Sequence, residues 1–317
     1  MSAPAPIDVV VVSYNTRELL RECLRSHLDA AAAGLITLTV VDNGSSDGSA
    51  ATVADEFAEA VRLIETDNIG YGAAVNLGAA EGAGEWLVAA NADVAVEPGA
   101  LGRLLAAARN DPALGAIAPR LILPDGSTQH SVHCIPGVLL TLALGLGLTN
   151  LSPRLGDRLC IEGHWNPDRR RRIEWAHGAY LMIRRAAFES AGGFEPAQWM
   201  YAEDIEIAWR LRQAGFAVGY EPSARVGHAV SAATLAAFGE DRHQRHITAT
   251  YQWLAARRGV FYPTAFLASN LLAIALRLAI YTLRRDQRRS LMQRYAAIQL
   301  RAWRRARAAP LRPAVTS

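Results

Sequence analysis

A pair of polar residues that could bind a metal ion or a phosphate group follows an apolar run in the first third of the chain. The run from Trp86 to Ala90 is typical of a strand buried on both faces, and Asn91 and Asp93 come directly after it. Residues two apart in an extended backbone project to one side, so both side chains should face the same pocket. A carboxylate at the carboxyl end of a sheet strand is well placed to hold a divalent ion together with diphosphate oxygens. The structural alternative is that Asp93 caps the helix predicted from Pro98.

Three other segments predicted as strands also end in polar loops, which would gather beside Asn91 and Asp93 at one edge of a sheet. Asp42 could accept a hydrogen bond from a base N–H or a ribose hydroxyl there, although Asp-Asn-Gly also forms ordinary Asx turns. Gly70, just before a predicted helix, would let backbone amides approach a phosphate, although such glycines are also common in simple turns. The predicted strands are 7–13, 36–41 and 61–65, and their polar ends and loops include Ser13, Tyr14, Asp42, Asn68 and Gly70.

Two adjacent carboxylates, Glu203 and Asp204, begin a segment that is predicted to be helical through Ala214. The helix dipole favours the ionised form of a carboxyl group at this end. A carboxylate there could take the proton of a hydroxyl group as that hydroxyl attacks an electrophilic carbon. Capping of the helix is the structural alternative, and it is compatible with this role.

The order of the predicted elements indicates an α/β protein. Strands alternate with helices up to Tyr220, at a spacing typical of crossover units, which predicts a mainly parallel sheet. A chain of 317 residues is long enough to bury a full core. We expect one large domain over residues 1–240 and a helical segment over residues 241–317.

Charge is distributed unevenly along the chain. The net charge is +3, but the segment from Arg284 to Arg312 contains ten arginines and one acid, Asp286, so the preceding residues carry a net charge of −6. Lysine is absent, so every permanent cation is a guanidinium group. A basic tail on an acidic body favours an anionic membrane surface as partner over nucleic acid, because no nucleic-acid-binding module is recognisable. A solvated helix without a partner is the alternative.

One segment near the C-terminus, residues 261–283, is apolar and long enough to cross a bilayer. It carries Asn270 and Arg277, and an arginine in mid-membrane costs about 2.5–3.5 kcal/mol on insertion scales. An amphipathic helix in the membrane interface or docked on protein is therefore favoured over a span. The three cysteines have no metal-like spacing and residues 1–6 lack a signal-peptide pattern, so we expect a cytoplasmic setting at the inner face of the cell membrane.

Seven short motifs occur in a recognisable order. They are VVSYN (11–15), VDNGS (41–45), NIGYGAAVNLG (68–78), NAD (91–93), HGAYLMIR (177–184), GGF (192–194) and YAED (201–204). Their succession resembles family 2 inverting glycosyltransferases of the GT-A fold, the large family that also includes cellulose and chitin synthases. The likeness extends over about residues 7–260 and is greatest to bacterial rhamnosyltransferase-like enzymes. It implies an α/β fold with a three-layer α/β/α nucleotide-sugar-binding sheet and a C-terminal helical extension.

The resemblance implies a site for a nucleotide-sugar donor. Asp42 would contact the nucleobase, and the backbone near Ser13 and Tyr14 would line the pocket around it. Asn68 and the glycine turn at Gly70 would lie beside the nucleotide.

The resemblance also implies a metal site that holds Mg²⁺ or Mn²⁺. Asp93 matches the last position of the family's metal-binding acidic motif, and His228 matches a histidine that is a further ligand in some members. The first position of the motif is Asn91 here instead of aspartate, which leaves fewer charges around the ion.

By the same resemblance, Asp204 matches the catalytic base that accepts the proton of the acceptor hydroxyl. Trp199, Tyr201 and Glu203 are candidates for the acceptor site, since aromatic faces suit sugar rings. The resemblance points to dTDP-L-rhamnose as donor and to a lipid-linked or cell-wall glycan as acceptor.

Three alternatives to this function stay open at the level of sequence. A UDP-sugar could replace the dTDP-sugar, and the substitution at Asn91 is compatible with a catalytically silent nucleotide-sugar-binding module. A sugar-phosphate nucleotidyltransferase is disfavoured, because that chemistry needs a glycine-rich basic loop after the first strand. The residues from Ser13 to Thr16 contain no glycine, and the chain has no lysine.

Overall fold

The computed structural model describes residues 6–229 and 241–311. The N-terminal residues 1–5 and the tail from Arg312 onward lie outside the described residues. The strands are β1 Ile7–Ser13, β2 Ile36–Asp42, β3 Arg62–Glu65, β4 Trp86–Asn91, β5 Val94–Val96, β6 Leu114–Ile122, β7 Val132–His133, β8 Arg171–Ile173, β9 Trp175–Ala176, β10 Tyr180–Arg184 and β11 Ala217–His228. The helices are α1 Arg17–Ala32, α2 Ser49–Glu56, α3 Tyr71–Ala79, α4 Ala100–Arg109, α5 Val138–Gly145, α6 Leu148–Leu151, α7 Pro153–Arg158, α8 Arg185–Ser190, α9 Glu203–Gln213, α10 Asp241–Arg258, α11 Tyr262–Leu283 and α12 Arg289–Ala308.

A large sheet organises the first part of the chain. Its strand order is β3-β2-β1-β4-β10-β6-β11-β5, with β8 paired to β11. The half formed by β3, β2, β1 and β4 is parallel, as the alternation of strands and helices predicts, whereas β10 runs antiparallel between β4 and β6. The register pairs Ser13 with Asp42 and Val12 with Asn91. The polar residues predicted at the ends of β1, β2 and β4 therefore lie along one edge.

Every residue of β1 is buried, because helices cover both faces of this sheet. On one face, Val9 belongs to the same buried cluster as Leu20 of α1. On the other face lies α3, whose Gly78 approaches Val10 and Val41 so closely that a β-carbon would not fit. The α/β class and the three-layer arrangement predicted from the sequence are confirmed.

The last strand is longer than the sequence predicts. The apolar pattern predicts a last strand over residues 216–220, with His228 shortly after it, but β11 continues to His228 as its final residue. A register shift between Glu221 and Arg225 interrupts the pattern of this strand, which hides its second half from a periodicity analysis. That half pairs with the short strand β5, so Val94 lies opposite His228.

The chain divides into two compact units. The first contains described residues 6–133, 167–199 and 203–229, and the second contains 134–166, 200–202 and 241–311. The boundary predicted at residue 240 falls outside the described residues. Residues 134–166, which that boundary places with the first domain, cluster with the C-terminal helices instead.

Within the second unit, α5 packs closely against α11. Gly145 of α5 leaves no room for a β-carbon beside Ala273 of α11, and Arg277 donates a hydrogen bond to the carbonyl of Leu144 at 2.8 Å. Among the described residues, α11 is the one helix long and apolar enough to cross a membrane, with 22% of its most apolar window buried.

The contact between α3 and the sheet predicts opposite effects of the same substitution at two helical glycines. A β-carbon at Gly78 would lie 2.5 Å from Val10 Cγ1, whereas one at Gly102 in α4 meets no atom within 4 Å. Gly78→Ala should lower the free energy of unfolding by about 1–3 kcal/mol through overpacking. Gly102→Ala should raise it by up to about 1 kcal/mol through helix propensity. Urea unfolding measures both, and equal shifts of the two variants would contradict the packing described.

Candidate active site

Asp42 closes β2 and is almost fully buried, with 3% of its surface exposed. Its Oδ1 accepts a hydrogen bond from the Ser45 amide at 2.8 Å, which is the Asx-type contact considered from the sequence. The other oxygen, Oδ2, is buried without a hydrogen-bond partner among the described residues. The Asp42 carboxylate thus stabilises the loop after β2 through Oδ1, and its Oδ2 can accept a hydrogen bond from a ligand. Beside it, Ser13 is buried and within 3.1 Å of the Thr16 hydroxyl, and Tyr14 is half-buried.

The loop before α3 is held by its own side chains. Asn68 Oδ1 accepts hydrogen bonds from the Asn43 amide group at 3.2 Å and from the Gly70 backbone amide at 3.3 Å. Gly70 has φ of +89°, and a β-carbon there would lie 2.6 Å from Trp199 Cδ1. The glycine therefore permits the close approach of the Trp199 ring, which remains 39% exposed.

Asp93 and His228 meet where the turn after β4 faces the end of β11. Asp93 Oδ1 and His228 Nε2 lie 3.3 Å apart, and both residues are at least nine-tenths buried. Neither of these two atoms has a hydrogen-bond partner among the described residues. Two buried polar atoms that face each other without a hydrogen bond fit two ligands of one cation.

Few protein side chains could bind a metal ion at this candidate site. Within the described residues, no group of three or more His, Cys, Asp or Glu side chains is placed to hold an ion. Asn91 ends β4 two residues before Asp93, and its backbone amide donates to the Ala179 carbonyl at 2.9 Å. An ion at Asp93 and His228 would need ligand oxygens from a bound diphosphate, as Mg²⁺-type sites commonly do.

A single residue, Gly178, joins the loop before α3 to the helix that carries the predicted base. The Tyr71 hydroxyl donates to the Gly178 carbonyl at 2.8 Å, and the Gly178 amide hydrogen-bonds the Asp204 carboxylate. A β-carbon at Gly178 would collide with Asp204 Oδ1. The HGAY motif is therefore constrained by the carboxylate that packs on its glycine.

The pKa of the Tyr71 phenol is affected by the charges around Gly178. Burial raises the pKa of this phenol well above 10, and the negative charges of Asp204, Glu203 and Asp93 raise it further. The charges of all three carboxylates thus act on the same hydroxyl group. The sequence reasoning did not single out Tyr71. Its position at the first residue of a helix, after a positive-φ glycine, was the available signal.

Asp204 has an environment suited to proton transfer. Burial raises the pKa of its carboxyl group from 3.8 to about 6, and the hydrogen bond from the Gly178 amide opposes that rise. A base with a pKa just below neutral pH is ionised at pH 7 and still holds a proton well enough to accept one. Glu203, which precedes it at the start of α9, is buried with 9% of its surface exposed.

One predicted acceptor residue belongs to the second compact unit. Tyr201 has φ of +71°, and its ring packs edge-on against His246 with centroids 5.9 Å apart. Its role at the acceptor site stays a prediction.

The raised pKa of Asp204 predicts a pH-dependent stability difference. The native state binds the proton of this carboxyl group more tightly than the unfolded state does. As the pH rises from about 4 to about 6, the wild type therefore loses stability relative to Asp204→Asn. Above pH 6 the variant should be more stable by up to about 3 kcal/mol, and below pH 4 the difference should vanish. Urea unfolding at pH 4 and pH 7 tests this.

Asp125→Asn is the matched control for that measurement. Hydrogen bonds from Ser127 lower the pKa of the exposed Asp125 carboxyl, so this variant should be the less stable one at pH 7. A difference between wild type and Asp204→Asn that is the same at both pH values would contradict the burial of the carboxylate.

Comparison with known proteins identifies the family and the fold of this chain. Residues 8–140 match Glycosyl transferase family 2. The N-acetylglucosaminyl-diphospho-decaprenol L-rhamnosyltransferase of Mycobacterium tuberculosis is 33% identical over 303 residues, which cover 90% of this chain and 96% of that protein. Among solved structures, the mannosyltransferase PcManGT from Pyrobaculum calidifontis in complex with GDP-Man and Mn²⁺ has a TM-score of 0.58 at 19% identity, covering 96% of this chain and 88% of the other. GalNAc-T7 with UDP, GalNAc and Mn²⁺ has a TM-score of 0.56 at 17% identity, covering 80% and 50%.

The two solved structures share the fold of this chain, and the mycobacterial relative matches nearly its whole length. The family and the fold expected from the motifs are thereby confirmed. The chain belongs to glycosyl transferase family 2.

Proposed function

We propose that this glycosyltransferase moves L-rhamnose from dTDP-L-rhamnose to a hydroxyl group of a lipid-linked glycan, with inversion at the anomeric carbon and with a divalent metal ion. The observation that carries the proposal is the buried pair of Asp93 Oδ1 and His228 Nε2, which lie 3.3 Å apart without hydrogen bonds among the described residues. The name of the mycobacterial relative supports the sugar and the lipid-linked class of acceptor. A UDP-sugar as donor is the nearest alternative.

The donor would bind along the edge where β1, β2 and β4 end. Asp42 Oδ2 is buried without a hydrogen-bond partner among the described residues. It is suited to accept a hydrogen bond from the N–H of a pyrimidine base. Asp93 Oδ1 and His228 Nε2 would hold Mg²⁺ or Mn²⁺. When bound, the ion would neutralise charge on the leaving diphosphate, so no separate acid is needed.

Asp204 would act on the acceptor. The acceptor oxygen forms a bond to the anomeric carbon on the face opposite the diphosphate, and the bond between that carbon and the diphosphate oxygen breaks. The hydroxyl proton passes to the Asp204 carboxylate, and the electron pair of the broken bond leaves with the diphosphate. Attack from the opposite face inverts the anomeric configuration. The Gly178 amide orients Asp204 for this step.

Replacement of the base separates an enzyme from a silent binding module. Asp204→Asn removes the proton acceptor but can keep the hydrogen bond to Gly178, so kcat should fall by about 10²–10⁴-fold. The Kd for dTDP, measured by calorimetry, should stay within about twofold, because the role proposed for Asp204 is at the acceptor hydroxyl and not at the nucleotide. Asp55→Asn, in an exposed position on α2, is the matched control. Turnover that persists in Asp204→Asn, or a product that retains the donor's anomeric configuration by proton NMR, would contradict the mechanism.

The second unit would place the enzyme on the inner face of the cell membrane. Four exposed apolar residues form one stripe along α11, and the arginine-rich segment follows directly. The stripe consists of Leu272, Leu276, Ile280 and Leu283, with exposed fractions between 38% and 85%. Arg277 donates to the Leu144 carbonyl, so its guanidinium has a protein partner. An apolar stripe followed by cations is typical of helices that lie in the interface of an anionic bilayer.

Two leucines with the same exposure test this association. Leu276 on α11 and Leu77 on α3 are each 38% exposed, so a glutamate at either site disturbs packing to a similar degree. Leu276→Glu should weaken binding to vesicles of equal parts phosphatidylcholine and phosphatidylglycerol by about tenfold or more, because one buried leucine contributes about 1.5–3 kcal/mol. Leu77→Glu should leave it unchanged. Cosedimentation measures both, and equal binding of the two variants would exclude the stripe as the membrane contact.

A further inference from the structure

Gln129 contacts the candidate metal ligand His228 from the side opposite Asp93. His228 Nδ1–H donates to Gln129 Oε1 at 2.7 Å, the shortest link in a series of side-chain hydrogen bonds. The backbone holds Gln129 in place: its amide donates to the Leu121 carbonyl at 2.9 Å, next to the bridge between Ile122 and Thr128. Gln129 therefore lies on the hairpin that follows β6, where its backbone is hydrogen-bonded to that strand.

The hydrogen bonds continue beyond Gln129 into the HGAY motif. Gln129 Nε2 donates to His177 Nδ1 at 3.4 Å, and His177 Nε2 lies 3.1 Å from His133 Nε2. The His133 ring stacks on Trp175, with centroids 4.4 Å apart. His177 precedes Gly178, so the same series of side chains ends beside the peptide that binds Asp204.

A carboxamide has one accepting end and one donating end, and this fixes the direction of the whole series. With Oε1 towards His228, the proton of neutral His228 must be on Nδ1, which leaves Nε2 with a lone pair. With the amide nitrogen of Gln129 towards His177, Nδ1 of His177 accepts and its proton is on Nε2, which donates to His133. The direction of each hydrogen bond follows from the orientation of one amide.

The same direction leaves a lone pair on Nε2 of neutral His228, beside the Asp93 carboxylate. Asp93 Oδ1 and His228 Nε2 are buried 3.3 Å apart and make no hydrogen bond with each other. A carboxylate oxygen and an unprotonated imidazole nitrogen are both ligands of divalent metal ions. The two atoms are therefore suited to bind one cation.

We propose that Gln129 is a positioning residue that holds His228 in the Nδ1–H tautomer and so presents Nε2 to a divalent metal ion. The inference rests on the proposed function for the metal and adds the residue that prepares its ligand. A partner that fixes the second nitrogen of a ligating histidine typically contributes about 10–100-fold to metal affinity.

Two substitutions at Gln129 test this in the full-length protein. Gln129→Met keeps the volume but removes the acceptor, so the Kd for Mn²⁺ in the presence of dTDP should rise by about 10–100-fold. Gln129→Glu keeps an acceptor for His228 Nδ1–H, so its affinity should equal or exceed that of the wild type. Free Mn²⁺ is measured by electron paramagnetic resonance. Gln252→Met is the matched control: it removes the hydrogen bond from Gln252 of α10 to the Ala309 carbonyl and should leave the Mn²⁺ affinity unchanged.

The tautomer of His228 gives a second readout that needs no metal. Long-range proton–nitrogen NMR should show Nδ1–H in the metal-free wild type and in Gln129→Glu, and loss of that tautomer in Gln129→Met. An unchanged tautomer and an unchanged Mn²⁺ affinity in Gln129→Met would overturn the inference. If the wild type binds no Mn²⁺ with dTDP, the proposed metal-dependent function fails. The tautomer then decides separately whether Gln129 controls His228.

Discussion

Gly178 is the constraint on which the arrangement of the site depends. Its carbonyl accepts from the Tyr71 hydroxyl at 2.8 Å, and its amide hydrogen-bonds Asp204. One residue thereby connects the first residue of α3, the chain between β9 and β10, and the first turn of α9. A β-carbon at this position would collide with Asp204 Oδ1, so a larger residue would displace the carboxylate. The first turn of α9 is thus linked to this glycine by a hydrogen bond between the Asp204 side chain and a backbone amide.

The parallel half of the sheet provides the other side of the site at a cost in stability. Ser13, Asp42 and Asn91 come to one edge because β2, β1 and β4 are in register. Three buried atoms near the ends of β2, β4 and β11 are then left without hydrogen bonds among the described residues: Asp42 Oδ2, Asp93 Oδ1 and His228 Nε2. Each unsatisfied buried group costs about 1–3 kcal/mol. Such groups are retained where a ligand satisfies them, which is the physical link between this fold and donor binding.

Sequence reasoning identified the residues that local pattern determines. The apolar run before Asn91 and the two acidic residues at the start of α9 are local sequence signals, and both elements lie where the sequence predicts them. Tyr71 and Gln129 were missed because their roles depend on partners more than forty residues away, Gly178 and His228. The extension of β11 to His228 was missed because its second half is stabilised by pairing with β5 across a register shift. The association of residues 134–166 with the C-terminal helices likewise depends on tertiary packing.

The central claim is that the strand ends and the start of α9 surround one nucleotide-diphosphate site. Paramagnetic relaxation of backbone amides by Mn²⁺ in the presence of dTDP tests it most directly. The account predicts strong broadening of the Gly178 and Val94 amide signals, with a much smaller effect at Gly84, which lies before the opposite end of β4. Broadening at Gly84 that equals or exceeds that at Gly178 would contradict it.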